Sequence, residues 1–275
     1  MLNLPATVIL ALAVTLISCN KLKVPEPGPE PPKKNTPLTS GLPGNFRETN
    51  AYVFAGVDIY QYSGAPESFA ANCYAAFSDP ARNLISGFNH YIYQNVSNPG
   101  QVPVQGNIFV GNVTLNSMML EASSFSPTVV YRLNNSNTIN FDYSARWKWP
   151  GNNTFQETDL LVERGFPRIT TAATPTTLSR SKDFQIDVPS TFSNYDSIVV
   201  FIGGGSSLYY TVKKSVAFPA QNLTFTSSEL STSLSNYSSC YIHFYAFNYS
   251  HRSVEGIEYV YELSSHVRKF LYVNP

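Results

Sequence analysis

Charged side chains are scarce in this sequence of 275 residues: Lys, Arg, Asp and Glu make up 13% of it, against about 25% in an average soluble domain. The 18 basic and 18 acidic side chains cancel, which removes the electrostatic basis for nucleic-acid binding. A hydrophobic content of 43% excludes a disordered polyelectrolyte, because such chains contain too little apolar surface to fold. We therefore predict a folded protein without a nucleic-acid partner.

Long hydrophobic runs are missing as well. No apolar stretch reaches the roughly 20 residues that a helix needs to cross a bilayer. Residues 6–18 are apolar or small and carry no charge, and their number fits the central region of a secretory signal peptide. The five residues before them contain no Lys or Arg, so only the free amine supplies the positive charge that is usual there.

The apolar stretch ends in Leu16-Ile17-Ser18-Cys19. This tetrapeptide resembles the lipobox of bacterial lipoproteins, in which a small residue precedes a cysteine that is lipidated and becomes the mature N-terminus. The resemblance implies that residues 1–18 are a lipoprotein signal peptide and that Cys19 anchors the protein to a membrane of the bacterial cell envelope, most simply the outer membrane. An ordinary secretory signal with a chance cysteine is the alternative, and the periplasmic or surface side of the membrane stays open.

Proline is concentrated after the cysteine. Residues 24–37 contain six prolines among fourteen residues. Proline-rich segments extend at about 3.1 Å per residue, so this one would hold a domain about 40 Å from a membrane. We interpret residues 19–38 as a flexible proline-rich tether with more Lys than Glu.

Beyond the tether, short runs of β-branched and aromatic residues are separated by clusters of Gly, Pro, Asn and Ser. This spacing is typical of an all-β sandwich or barrel. A single short helix is expected to begin at Ser227-Ser228-Glu229, with Ser227 or Ser228 as its cap. The candidate strands cover residues 51–60, 69–77, 106–116, 126–133, 138–147, 184–188, 197–202, 208–215, 239–248, 256–263 and 267–273.

The folded part is large for one β-sandwich and suits two. We place the boundary near Phe166-Pro167, which gives an N-terminal β-sandwich domain over residues 39–168 and a C-terminal one over residues 169–275. Tyr237 precedes a long alternating strand, an arrangement that resembles the tyrosine-corner strand of immunoglobulin-like and fibronectin type III domains. The resemblance implies antiparallel immunoglobulin-like sandwiches.

A second resemblance lies in the first half of the chain. Trp147-Lys148-Trp149-Pro150-Gly151, followed by a strand and by Phe166-Pro167, is similar to the paired β-domains of uncharacterised outer-membrane lipoproteins. It implies the same all-β fold and the same location, and it implies no activity.

Cysteine is nearly absent after Cys19, since only Cys73 and Cys240 remain, one in each predicted domain. A pair in an exported protein can form a disulfide, but bridging requires Cα atoms within about 7 Å. Cys240 alternates with apolar residues, which indicates a thiol that faces the core. We predict two separate buried thiols and keep an interdomain disulfide as the alternative.

Catalytic and metal-binding motifs are missing. The sequence contains no GxSxG elbow, GxxxxGK[ST] phosphate loop or DxDxDG calcium loop, and no closely spaced Cys or His pair for zinc. Gly203-Gly204-Gly205 separates two candidate strands and fits a hairpin loop. His243 and His251 flank a predicted turn, across which they could approach each other. We predict no enzyme activity, no metal and no cofactor.

The densest acidic cluster is mixed with basic residues. This mixture indicates a solvated, salt-bridged surface. Carboxylates from distant strands could still converge in space as a glycosidase requires, so an envelope polysaccharide hydrolase is kept as the alternative function. The cluster contains Asp142, Glu157, Asp159, Glu163, Arg146, Arg164 and Arg168.

The aromatic content of 14% carries the main functional signal. If Cys240 and the even-numbered residues after it face the core, the period of two puts Tyr241, His243, Tyr245 and Phe247 on the opposite face. An exposed aromatic row is typical of carbohydrate-binding surfaces and protein interfaces, and burial by the first domain is the alternative. We predict a non-catalytic binding, adhesion or scaffolding protein that recognises a glycan or another envelope protein. A self-associating structural subunit is a further alternative.

Seven Asn-x-Ser/Thr sequons are present, and glycosylation at such sites would require a eukaryotic secretory route. A chain so rich in Asn, Ser and Thr produces them by chance, so we interpret them as incidental. They begin at Asn95, Asn112, Asn134, Asn152, Asn222, Asn236 and Asn248.

Overall fold

The structure is a computed structural model that describes residues 37–40, 52–61, 69–78, 108–125, 128–133, 144–204 and 210–275. The predicted signal peptide, Cys19 and nearly all of the tether lie outside these residues. Contacts group Thr36–Pro275 into one compact unit. Strand is the predominant secondary structure in it, which confirms the all-β prediction.

The described residues form seventeen strands and two helices. The strands are β1 (Thr39–Ser40), β2 (Tyr52–Gln61), β3 (Phe69–Ser78), β4 (Val113–Leu115), β5 (Met118–Phe125), β6 (Thr128–Arg132), β7 (Ala145–Trp149), β8 (Thr158–Val162), β9 (Arg168–Ile169), β10 (Thr177–Ser179), β11 (Phe184–Asp187), β12 (Phe192–Ser193), β13 (Ser197–Gly204), β14 (Tyr210–Ala217), β15 (Asn222–Phe225), β16 (Ser239–Val254) and β17 (Ile257–Asn274). The helices are α1 (Val188–Thr191) and α2 (Ser227–Ser233).

The described strands form one large sheet and two small ones. The order along the large sheet is β14-β13-β16-β17-β2-β3-β6-β5-β4-β7-β8, with β1 beside β16 and β10 beside β17. β17 pairs in parallel with β2 and with β10. Strands from both halves of the chain therefore belong to one hydrogen-bonded sheet. The small sheets pair β11 with β15 and β9 with β12.

The longest strands are β16, with 16 residues, and β17, with 18. Glu255 and Gly256 join them with φ angles of 53° and 80°. Positive φ at both central residues is typical of the type I′ turn, whose twist matches that of the strands. The sequence predicted three shorter strands here, with breaks near residues 250 and 265. That prediction is wrong, because both strands continue without interruption.

Elsewhere, most predicted strands overlap observed strands, but they begin or end at other residues. The glycine triplet lies at the end of β13, which pairs antiparallel with β14, so the interpretation as a hairpin is confirmed for its strands. Gly205 itself lies outside the described residues. β5, β8, β10 and β15 are not among the predicted strands. In β5 and β8 the alternation is interrupted by the exposed apolar residues Met119 and Leu161.

The first hydrophobic core is built by residues 53–166 together with the turn end of the long hairpin. Trp147 and Trp149 are fully buried in it. The Trp149 ring stacks on the rings of Tyr259 and Tyr261, with centroid distances of 6.3 and 6.4 Å. Aromatic side chains bury roughly 150–250 Å² each, so these four rings account for much of the packing in this core.

The second core is built by residues 178–246 together with the open end of the hairpin. Phe244 of β16 and Leu271 of β17 are fully buried in it. Tyr237, the predicted tyrosine-corner residue, is partly buried against the same core. The two cores separate between Phe166 and Ile169, while the β16–β17 hairpin contributes residues to both.

Both remaining cysteines are buried and unbridged. Cys73 belongs to the first core and Cys240 to the second, which confirms the prediction of two separate thiols. Burial raises the pKa of each thiol to about 12. Neither is therefore a thiolate nucleophile at neutral pH.

The segment between the cores is held by a polar junction. Arg164 forms a bidentate ion pair with Asp196, and its Nη1 donates to the carbonyl oxygen of Tyr249 at 2.7 Å. The side-chain Nδ2 of Asn248 donates to two backbone carbonyls, at 3.0 and 2.8 Å. Asn248 is 1% exposed, so its side chain is inaccessible in the folded protein.

The predicted charged cluster is a salt-bridged surface where it is described. Arg146 pairs with Asp159 at 2.7 Å, and the two side chains are 62% and 36% exposed. Exposed pairs of this kind contribute little to stability. Asp142 lies outside the described residues, and Arg164 pairs with Asp196 instead of a member of the cluster.

The helices are short. None in the described part of the chain has the length and apolar character needed to cross a membrane. α2 begins where the sequence predicted, but its cap is Thr226 and not Ser227 or Ser228. The Thr226 Oγ1 accepts from the Glu229 amide at 3.3 Å, and a Glu229 carboxylate oxygen accepts from the Thr226 amide at 2.8 Å. This reciprocal capping box satisfies two amides at the helix start.

Candidate functional site

One face of the long β16–β17 hairpin packs on the two hydrophobic cores, and the other face points away from them. The even-numbered residues 240–246 are fully buried in the second core, so strand alternation puts Tyr241, His243, Tyr245 and Phe247 on the other side. We call this side the second face. The division of β16 into two faces agrees with the sequence prediction.

Aromatic rings follow one another along the second face. Tyr245 stacks on Phe247, with a centroid distance of 6.2 Å, and Phe247 stacks on Tyr249 at 6.1 Å. On the neighbouring strands, Phe201 stacks on His243 at 4.4 Å and His266 stacks on Tyr245 at 3.8 Å. The rings therefore form a continuous row across β13, β16 and β17.

Most of this row is covered. His243 is 5% exposed, Tyr245 is 8% and Phe247 is 2%, whereas Tyr241 is half-buried. The sequence left burial open as the alternative, and the structure buries three of the four candidate residues. His243 and His251 lie in the same strand, so the predicted approach of these two rings across a turn is wrong.

The partner of His243 is His266. The Nδ1 of His243 and the Nε2 of His266 lie 3.1 Å apart in a buried hydrogen bond. Burial, reinforced by the positive charge of Arg268, lowers the pKa of His243 to about 3. Burial, His243 and Arg268 hold the pKa of His266 well below its ordinary value. Both rings are therefore neutral at pH 7, and one donates its proton to the other.

Further along the same face lies an acidic cluster, which consists of the half-buried Asp58 and the buried residues Tyr74, Glu262 and Ser264. The Tyr74 hydroxyl donates to Glu262 Oε1 at 3.0 Å, and the Ser264 hydroxyl donates to Asp58 Oδ1 at 3.0 Å. The Tyr74 ring crosses directly over Gly56, where a Cβ would come within 2.5 Å of it. A glycine at this point of β2 is therefore required for the tyrosine to reach the glutamate.

The acidic cluster keeps one carboxyl group neutral. Burial, together with the charge of Asp58, raises the pKa of Glu262 to about 8. Burial and the neighbouring Glu262 raise the pKa of Tyr74 well above its ordinary value. Glu262 is therefore protonated at neutral pH, and its carboxyl group converges with that of Asp58 from a separate strand.

The open end of the second face is exposed. Phe270 is 41% exposed and Tyr272 is 62% exposed. The Phe270 ring packs edge-on against Tyr241, at 5.5 Å between centroids, and against Tyr272, at 5.1 Å. The Arg268 guanidinium carbon lies 4.7 Å from the centre of the Tyr241 ring. We call these four residues the aromatic platform.

The platform is positively charged. Arg268 is its charged member, and in the part of the chain that the structure describes no carboxylate pairs with this side chain. Gly203 is the register partner of Tyr241 on β13, so no side chain stands beside the tyrosine at that position. A cation stacked on one ring, next to two exposed rings, can bind a ligand that combines apolar surface with negative charge.

A separate groove of about 580 Å³ lies beside the first core. Its walls include Lys148 and Glu157, and both side chains are exposed. Charges of both signs give it no preference for one kind of ion. Elsewhere in the described ranges, no three His, Cys, Asp or Glu side chains come together as a metal site would require.

The sequence analysis missed the exposed members of the platform. Phe270 and Tyr272 alternate with Leu271 and Val273 in the same way that the predicted row alternates on β16. This pattern was available, but the predicted break near residue 265 separated it from the rest of β17. His266 lies at this predicted break, whereas Glu262 gains its role only from Tyr74 and Asp58 on other strands.

Comparison of the chain with protein-family models, with curated proteins and with solved structures finds no match.

Proposed function

We propose that this chain is a non-catalytic binding protein of the bacterial cell envelope, anchored by a lipid on Cys19, and that its aromatic platform binds an acidic polysaccharide. The observation that carries the proposal is the exposure of Phe270 and Tyr272. These rings continue a row whose other members are buried or, in the case of Tyr241, half-buried, and clustered exposed aromatic side chains are typical of binding surfaces.

Ring geometry supports a carbohydrate ligand. The Phe270 ring contacts the Tyr241 ring and the Tyr272 ring edge-on. Adjacent rings are therefore nearly perpendicular to each other. Strands fix their spacing because Tyr241 and Phe270 are register partners in the long hairpin. A preorganised aromatic surface binds with little loss of side-chain entropy, which favours a rigid ligand with apolar sugar faces.

Charge supports an acidic sugar. A guanidinium stacked on an aromatic ring keeps its in-plane N–H groups free for two parallel hydrogen bonds to a carboxylate. The guanidinium carbon of Arg268 lies over the Tyr241 ring, 4.7 Å from its centre, which fits this arrangement. Uronic acids present a carboxylate beside an apolar ring face, which matches a cation beside exposed aromatic rings.

The lipid anchor and tether support a location in the envelope. A lipidated Cys19 followed by a proline-rich spacer would hold the folded part away from the membrane, where polysaccharide is accessible. The two cores on one hairpin fit a pair of sandwich-like domains over residues 39–168 and 169–275. An immunoglobulin-like arrangement of each domain is part of this proposal.

The platform is tested with the lipidated protein solubilised in detergent. We expect polygalacturonate to bind, and a Phe270→Ala/Tyr272→Ala variant to bind at least about tenfold more weakly, because loss of two stacking rings removes more than ~1.4 kcal/mol. Isothermal titration calorimetry measures both affinities. Phe218→Ala is the matched control, since Phe218 is 66% exposed and lies on a different strand connection.

Equal binding by the wild type and the double variant would contradict the platform as the binding site. Binding of neutral amylose with the same affinity as polygalacturonate would contradict the acidic specificity. Melting temperatures of the variants show whether a loss of binding comes from unfolding, and we expect them to be unchanged.

A polysaccharide hydrolase is the second candidate function. It is favoured by the convergence of Asp58 and Glu262 from separate strands and by the raised pKa of Glu262, which is what a general acid needs. Glu262 is 1% exposed, so the side chains that cover it would have to move before a substrate could reach its carboxyl group. Release of reducing ends from polygalacturonate during the binding experiment would favour this candidate over the binding protein.

A further inference from the structure

Arg252 is an interior cation. It lies on the core side of β16 and is 5% exposed. Its Nη2 donates to the Thr158 hydroxyl at 2.7 Å, and its guanidinium carbon lies 5.0 Å from the centre of the Tyr259 ring. Both contacts are to neutral groups, so neither cancels the positive charge.

The hydrogen bonds of this guanidinium are incomplete. Its Nε is buried and has no partner in the structure as described. No described carboxylate forms an ion pair with Arg252, because Asp58 and Glu262 lie on the opposite face of the sheet. A buried charge without a counter-charge is strongly unfavourable, and buried donors almost always have acceptors.

A second donor without an acceptor lies beside it. The Tyr261 hydroxyl is buried, with 1% of the residue exposed, and its proton has no acceptor among the residues described. Burial raises the pKa of Tyr261, whereas the positive charge of Arg252 and a hydrogen bond from its guanidinium to the phenolic oxygen oppose that rise. The hydroxyl therefore lies within the field of the guanidinium, and both groups are available as donors.

We propose that Arg252 and Tyr261 bind a small inorganic anion, such as chloride, at the edge of the first core. The Arg252 Nε and the Tyr261 hydroxyl are two donors without acceptors, and together with the positive charge of the guanidinium they select an acceptor with negative charge. The surrounding aromatic rings of Trp149 and Tyr259 select a small and weakly hydrated ion over a bulky one.

The bound anion joins three separate parts of the fold. Thr158 opens β8, Arg252 is in β16 and Tyr261 is in β17. By neutralising the guanidinium, the ion stabilises the attachment of β8 to the long hairpin. The stability of the whole protein then increases with the concentration of the anion, as for any ligand that binds only the folded state.

Bromide provides a direct test, because it replaces chloride and scatters anomalously. Crystals of the protein soaked in sodium bromide are expected to show an anomalous peak within hydrogen-bonding distance of the Arg252 guanidinium. A water molecule at this position, without anomalous signal, would overturn the proposal.

Thermal unfolding of the detergent-solubilised protein provides the solution test. We expect the Tm to rise with sodium chloride more than with sodium gluconate at equal ionic strength, and Tyr261→Phe to reduce this difference while it leaves the fold intact. Arg252→Met should abolish the difference, and Arg146→Met, which removes an exposed cation, should leave it unchanged. The same Tm in chloride and gluconate for the wild type would count against the site.

Discussion

At the scale of single residues, two buried groups on the second face make stability depend on pH in opposite senses. Glu262 binds its proton more tightly in the folded protein, where its pKa is about 8, than in the unfolded chain, where it is 4.5. Its contribution is present below pH 4.5 and is lost as the pH rises towards 8. His243 has a pKa of about 3 in the folded protein and 6.5 when unfolded, so its contribution is lost as the pH falls below 6.5.

We expect Glu262→Gln to remove the loss of stability at high pH. Glutamine is neutral at every pH and keeps an oxygen to accept the hydrogen bond from Tyr74. The free energy of unfolding of the variant, relative to wild type, should increase between pH 5 and pH 8 by on the order of 3–4 kcal/mol, because this range lies almost entirely between the two pKa values and one pKa unit corresponds to about 1.36 kcal/mol. Urea unfolding at the two pH values measures it.

Glu258→Gln is the control for this experiment, since Glu258 is only half-buried on the same strand. A parallel pH dependence in wild type and Glu262→Gln would show that the carboxyl group of Glu262 ionises normally in the folded protein.

At the scale of elements, the polar junction around Asp196 connects the segment at Arg164 to β16. The carboxylate accepts from the Arg164 guanidinium and from the Tyr249 amide, the latter at 2.9 Å. The ion pair is about three-quarters buried, with side-chain exposures of 22% and 26%. Loss of the charge would leave the guanidinium with only a carbonyl and an amide oxygen as acceptors.

We therefore expect Asp196→Asn to lower the free energy of unfolding by about 2 kcal/mol, since hydrogen bonds to charged groups contribute roughly 1.5–3 kcal/mol. Asp159→Asn breaks an ion pair of similar bidentate geometry at the surface and should cost less than about 1 kcal/mol. Urea denaturation of the two variants measures the difference. Equal costs would mean that burial adds nothing to the Arg164 pair.

Local sequence patterns predicted the positions of many strands but not which strands pair with each other. Alternation was enough to assign Cys240 and Tyr241 to opposite faces of a strand. The adjacent serines Ser264 and Ser265 look like a strand break, yet their hydroxyls donate to Asp58 Oδ1 and, at 2.6 Å, to the carbonyl of Pro167. These partners come from distant parts of the chain, so no window of sequence contains the reason that the strand continues.

The residues of the candidate site were also predicted within one strand but not across paired strands. Sequence reasoning found four residues of the aromatic row, because they alternate within one strand. It did not find Phe270 and Arg268, because their neighbour Tyr241 comes from the pairing of β16 with β17. The convergence of Asp58 with Glu262 depends on the parallel pairing of β2 with β17, which local periodicity does not encode.

At the scale of the whole molecule, the two cores are not independent. The first core is mostly formed by residues before 167, but Tyr259, Tyr261 and Leu263 of β17 are buried in it. These three side chains are at most 1% exposed. Removal of β17 would uncover the facing surfaces of Trp149 and of β2.

We expect a fragment of residues 39–168 to remain unfolded in isolation. It should show weak dispersion in a proton–nitrogen NMR spectrum, and addition of a separately produced fragment of residues 169–275 should restore the dispersed signals. A well-dispersed spectrum from the first fragment alone would contradict this expectation and would show that its core closes without β17.

The parallel pairing of β2 with β17 also sets an order of events during synthesis. β2 leaves the ribosome long before the strand that it pairs with, and contacts distant in sequence form late because a long loop must close first. The first half of a nascent chain therefore stays open until the final strand is available. If the chain is exported unfolded, as the envelope location proposed above requires, β2 crosses the membrane well before β17, the strand that completes its side of the sheet.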